Sequence, residues 1–91
     1  MSEKKRVVIT GIGIVSPVGN NLKTSWENIK NGVSGIDNIT HFDTTNFSTK
    51  FAGELKGFST QGYLDDKDSR RMDLFIHYGM VAGIQAVRDA G

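Results

Sequence analysis

Ninety-one residues make at most one domain, because a chain this short has material for only one hydrophobic core. With 37% hydrophobic and 23% charged residues and a net charge of +1, the composition argues against disorder and supplies no basic excess for nucleic acid. Zero cysteines exclude a disulfide framework, a thiolate zinc site and a cysteine nucleophile within these residues.

At the N-terminus, Lys4, Lys5 and Arg6 precede an apolar run from Val7 to Val15, the outline of a signal peptide. Gly11 and Gly13 interrupt that run, Glu3 dilutes the positive end, and no small-residue cleavage pattern follows Ser16-Pro17. The reading is instead a strand over Arg6 to Thr10, where Val7, Val8 and Ile9 without alternation predict cover on both faces. No stretch approaches the ~18 to 20 apolar residues of a membrane span, so a soluble, cytoplasmic chain is expected.

Gly11 to Asn21 follows as a buried loop whose three glycines and one proline permit sharp, close-packed turns. Leu22, Trp26, Ile29 and Val33 then recur at helical spacing. They predict a short amphipathic helix starting near Asn20 to Thr24, with Thr24 and Glu27 as a possible capping box and Gly32 as its stop. Ser34 to Thr49 is too polar for core structure and reads as an ordered loop anchored by Ile36, Ile39, Phe42 and Phe47. Lys50 to Leu55 predicts a short strand, and Lys56 to Gly62 returns to turn chemistry. The strongest periodicity is the last: Met72, Phe75, Ile76, Gly79, Met80, Gly83, Ile84 and Val87 predict a long helix closed by Gly91. Gly79 and Gly83 leave a flat strip on it, and the expectation is that another backbone approaches there.

Strand, glycine loop and helix together suggest a dinucleotide site, but the copy fails in detail. After Gly11 and Gly13 the third glycine is replaced by Ser16, and Pro17 breaks the chain where the helix should begin. His41 and His77 have no companions at metal-ligand spacing and read as structural, His77 paired with Asp73 and His41 near Asp43. Ser16, Ser25 and Thr10 lack an identifiable base. One cluster remains: Lys67, Arg70 and Arg71 at the entrance to the long helix, where cations oppose the helix dipole and so serve something other than helix stability. From the residues alone it is a solvated mixed-charge corner, or a site for phosphate or an acidic partner surface.

Val7-Val8-Ile9-Thr10-Gly11-Ile12-Gly13 runs into Ser16-Pro17-Val18-Gly19, with Trp26 before Gly32 to Gly35. Phe42-Asp43, Thr49-Lys50-Phe51-Ala52-Gly53 and Arg70-Arg71-Met72-Asp73 follow, leading through Tyr78-Gly79 to Ala82-Gly83. In this order, the sequence resembles the start of a β-ketoacyl-acyl-carrier-protein synthase of the type II elongating kind, from Arg6 to Gly91.

The resemblance implies an α/β chain that is the N-terminal piece of a thiolase-like layered αβαβα fold. Residues 1–91 would be part of a ketosynthase domain and not a complete one, in an enzyme that is normally a homodimer. It implies an acyltransferase of fatty-acid elongation. A cysteine takes the acyl group from a carrier-protein phosphopantetheine, two histidines assist decarboxylation of malonyl-carrier protein, and backbone amides stabilise the oxyanions. None of those catalytic residues falls in the matched region, and neither a metal nor a cofactor of the enzyme's own is implied.

What carries over is the basic corner. Lys67, Arg70 and Arg71 match positions where such synthases meet the acidic helix of the acyl carrier protein. Asp65, Asp66 and Asp68 make it less basic than the family pattern. A polyketide-type synthase, an inactive chain-length partner and a free-standing binding module are the alternatives; neither a nucleic-acid nor a membrane partner is expected.

Overall fold

Asn21 opens the first helix, α1 (Leu22–Lys30), by accepting the Thr24 amide on its side chain at 2.8 Å. Asn21, rather than a Thr24–Glu27 box, satisfies one of the free N–H groups that every helix start carries. The helix stops at Asn31, and Gly32 takes φ +68, a left-handed conformation that glycine adopts without strain. The computed structural model describes residues 4–91; Glu3 of the N-terminal stretch lies outside the described residues.

Two short strands follow, β1 (Ile36–Asn38) and β2 (Phe51–Gly53), paired antiparallel with Asp37 opposite Ala52. The Lys50 to Leu55 strand is therefore present in shortened form. Its partner lies inside the segment expected to be loop: the polar Ile36-Asp37-Asn38 is a strand because it lies opposite Phe51–Gly53, not because of its own pattern. Then come α2 (Asp66–Arg70) and α3 (Leu74–Ala90), the latter over the span that the last periodicity marks.

The strand expected over Arg6 to Thr10 has not formed. These residues pair with no other strand, and Val7 is 92% exposed. A strand apolar on both faces needs strands beside it and layers above and below, and the sheet among the described residues consists of β1 and β2 alone. The glycine loop instead packs on α3, where the Gly11 and Gly13 backbones lie against Ala82, Ala86 and Ala90. The close approach expected at Gly79 and Gly83 is thus not made there; a backbone approaches α3 on its alanine face instead. The Gly79 and Gly83 strip has nothing within 4 Å of where a Cβ would stand.

Val81 of α3 is the fully buried apolar side chain among the described residues, while Val8, Ile9, Phe75 and Val87 stay exposed. The Cα radius of gyration is 17.0 Å. A compact chain of this length would have about 12 Å. The mixed α/β elements are present, but their apolar faces are open.

Candidate functional site

Lys67, Arg70 and Arg71 lie on and just beyond α2, and all three side chains are exposed. Sequence alone puts them at the start of the long helix; they belong instead to a separate short helix, Lys67 in its first turn and Arg70 and Arg71 at its C-terminal end. At that end Arg70 and Arg71 complement the last carbonyls, while Asp65 caps the other end, its side chain accepting the Asp68 amide at 2.8 Å. Asp66 and Asp68 remain the immediate neighbours of Lys67 on this helix, while Arg70 and Arg71 lie toward its other end. At about 100° per residue, positions 67, 70 and 71 share one face of α2, with Asp66 and Asp68 flanking it on either side. None of the three cations makes an ion pair among the described residues. A compact, unpaired cationic face of this kind attracts and orients an acidic surface.

The two histidines lie in unrelated places. His77 Nε2 is 2.7 Å from the Ser69 carbonyl, so its partner is the α2 backbone and not Asp73. His41 Nδ1 is 3.4 Å from Glu54 Oε2, so its carboxylate neighbour is Glu54 and not Asp43. Glu54 also accepts the Thr40 amide at 2.9 Å, the Thr40 hydroxyl at 3.0 Å and the His41 amide at 3.2 Å. The Thr40 amide leads in holding its carboxyl below the ordinary 4.5. Asp43 is likewise lowered, by the Thr45 hydroxyl and then the Thr45 amide, in a local turn.

A carboxyl lowered by native hydrogen bonds stabilises the fold above its unfolded value, and that contribution disappears as pH falls through the folded value. The Glu54 clamp on the end of β1 is thus complete above pH 4.5 and lost in acid. Amide hydrogen exchange at Thr40 and His41, corrected for intrinsic rates, should accelerate on acidification in the native sequence. In Glu54→Ala it should already be fast at neutral pH. Equal protection at both pH values in the native chain would refute the clamp.

The glycine loop offers no phosphate cradle. Its Ile12 amide donates to Asp89 Oδ2 at 3.0 Å and its Ile14 amide to Gln85 Oε1 at 3.0 Å, so two of its N–H groups are spent on α3. The Ser16 and Gly19 backbones bond each other across a tight turn. A carboxylate already occupying the loop is unfavourable to a pyrophosphate, which agrees with the broken glycine motif.

Lys56 is a residue whose importance the sequence did not reveal. Its ammonium reaches the carbonyls of Gly35 at 3.0 Å, Glu54 at 3.3 Å and Pro17 at 3.4 Å, while its own carbonyl accepts the Asn20 side chain at 2.8 Å. One cation thereby ties the Ser16–Gly19 turn to both strands of the β1–β2 pair, at the end where Ile36 lies opposite Gly53. A single lysine in a turn-rich segment carries no local signal of such a role. Among the described residues no group of three or more His, Cys, Asp or Glu side chains could hold a metal, and no helix is long and apolar enough to cross a membrane.

The family model of the beta-ketoacyl synthase N-terminal domain matches residues 4–91. Among curated relatives, a protein of Vibrio cholerae serotype O1 named 3-oxoacyl-[acyl-carrier-protein] synthase 2 is 60% identical over 88 residues, 97% of this chain and 21% of the relative. One of the same name from Vibrio harveyi is 58% identical over the same shares. A third, from Staphylococcus aureus strain COL, is 54% identical over 90 residues, 99% of this chain and 22% of the relative. The chain thus spans about a fifth of the length of the curated relatives it matches.

Proposed function

The chain belongs to the beta-ketoacyl synthase family through its N-terminal domain, and on that premise we propose that the protein carrying it is a 3-oxoacyl-acyl-carrier-protein synthase of fatty-acid elongation. Residues 1–91 are then the leading part of a ketosynthase domain with the thiolase-like layered αβαβα fold. Val7, Val8 and Ile9, exposed and outside β1 and β2, are suited to pair into a sheet built by further chain. The same reading makes the enzyme a cytoplasmic homodimer.

The reaction joins an acyl thioester to malonyl-carrier protein. A cysteine outside these residues takes the acyl group, decarboxylation of the malonyl thioester releases carbon dioxide and generates the carbanion, and the carbanion attacks the acyl-enzyme. The products are the 3-oxoacyl thioester, lengthened by two carbons, and the free carrier thiol. The part assigned to this segment is docking. The observation that carries it is the single cationic face of Lys67, Arg70 and Arg71, exposed and without ion pairs among the described residues. Individually such contacts are worth only about 0 to 1 kcal/mol, so they serve encounter and register more than tight binding.

Full-length protein incubated with an acyl-carrier protein and malonyl-carrier protein should release carbon dioxide and form the lengthened 3-oxoacyl-carrier protein. Neither product appearing, with both substrates intact, would overturn the assignment. The relatives favour the elongating enzyme over a polyketide-type synthase or an inactive chain-length partner. The scarcity of buried apolar residues, with a radius of 17.0 Å, weighs against a free-standing binding module.

A further inference from the structure

Five residues are too few for a helix to hold its place by its own hydrogen bonds, so α2 depends on what it is fastened to. Ser69 lies in its last turn, where carbonyls lack intrahelical donors. The Ser69 carbonyl is approached by the Met72 amide at a long 3.4 Å and by His77 Nε2 at 2.7 Å. A carbonyl only accepts, so His77 must carry its hydrogen on Nε2 and donate it. Among the described residues this is the side-chain hydrogen bond that joins α3 to α2.

Other α3 side chains fasten the chain just upstream of α2. Tyr78 meets Phe58 edge to face with centroids 4.9 Å apart. Arg88 donates to the Gly62 carbonyl at 3.1 Å and lies 5.0 Å from the Tyr63 ring centroid. These contacts fix where the segment enters α2, and His77 fixes how α2 leaves it. The bonded carbonyl belongs to the residue directly before Arg70, so rotation of α2 about its axis would break this bond and swing Lys67, Arg70 and Arg71 away together.

We propose that His77 is a positioning residue for the carrier-protein docking face, holding α2 in the rotation that presents Lys67, Arg70 and Arg71 on one side. The proposal rests on the docking reading above and adds to it the element that orients the face. It requires a donor at the reach of Nε2 and no charge. Glutamine, whose terminal amide nitrogen extends about as far, should replace histidine; alanine should not.

The test is steady-state kinetics of the full-length protein with acyl-carrier protein as the varied substrate, and with a short pantetheine thioester that has no protein to dock. His77→Ala should raise KM for the carrier-linked substrate about five- to tenfold, the scale of one lost hydrogen bond, while kcat and the pantetheine kinetics stay within about twofold. His77→Gln should return KM to within about twofold of the native value. Arg70→Glu with Arg71→Glu is measured alongside. If that double reversal raises KM and His77→Ala does not, the positioning role is overturned and docking stands. If neither raises it, the docking reading falls and the positioning role with it. If His77→Ala depresses turnover of both substrates alike and glutamine fails to restore it, His77 is a general packing residue and the proposal is overturned.

Discussion

Arg70→Glu combined with Arg71→Glu is expected to raise KM for carrier-linked substrate roughly thirtyfold in the full-length enzyme at low salt, with a much smaller change in kcat. Each native contact is worth about 0.5 kcal/mol, and reversal replaces attraction by repulsion of similar size, so each site changes by about 1 kcal/mol and the two together by about 2 kcal/mol. The effect falls on KM because the cations lie on α2, outside any residue that takes part in bond making. It is also salt-sensitive. Exposed charges are screened over about 10 Å at 0.1 M salt, so native KM should climb with ionic strength while that of the variant stays flat or falls. Lys67→Glu should move KM in the same direction by a smaller factor. A double variant with native KM and native salt dependence would remove the docking role from this face altogether.

The elements legible in the sequence are those whose signals are local. The periodicity from Met72 to Val87 locates α3 to within two or three residues at each end, because a helix satisfies its own backbone. Gly32 ends α1 as expected, since a left-handed turn depends on one residue's missing Cβ. The failures are those that need a distant partner. β1 exists only opposite β2, and the Arg6 to Thr10 run lacks neighbours among the described residues, although its composition asks for them on both sides. The same division holds in the site. The residue types of the basic corner are visible in the sequence, but its arrangement is not: Met72-Asp73 interrupts what reads as one helix start, and α2 becomes a helix of its own that carries Lys67 and Arg70 and ends at Arg71. Helical spacing pairs His77 with Asp73, whereas its partner, the Ser69 carbonyl, belongs to the preceding helix. Lys56 bonds three carbonyls, of which Pro17 and Gly35 are remote in sequence.

Gly13→Ala is expected to destabilise the full-length enzyme by about 3 to 5 kcal/mol, the largest effect of any single substitution considered. A Cβ at this position would run into the Ala82 carbonyl oxygen and stand 2.8 Å from both the Ala86 nitrogen and Gln85 Cβ. Two of those three atoms are helix backbone, which cannot turn aside as a side-chain end can. The loop must lift instead. Overpacking of this kind costs about 1 to 3 kcal/mol by itself. Lifting also breaks the bonds from the Ile12 amide to Asp89 and from the Ile14 amide to Gln85, at about 1 kcal/mol each. Gly79→Ala supplies the contrast, because nothing stands within 4 Å of its Cβ position and alanine is favoured over glycine in a helix interior by up to about 1 kcal/mol. Urea midpoints of the two variants should therefore move in opposite directions. A Gly13→Ala protein as stable as the native one would mean that the glycine loop does not rest on α3. A loss at Gly79 as large as at Gly13 would place the remainder of the enzyme directly against that strip, and the open glycine face would become a second seam between this segment and the chain that completes its fold.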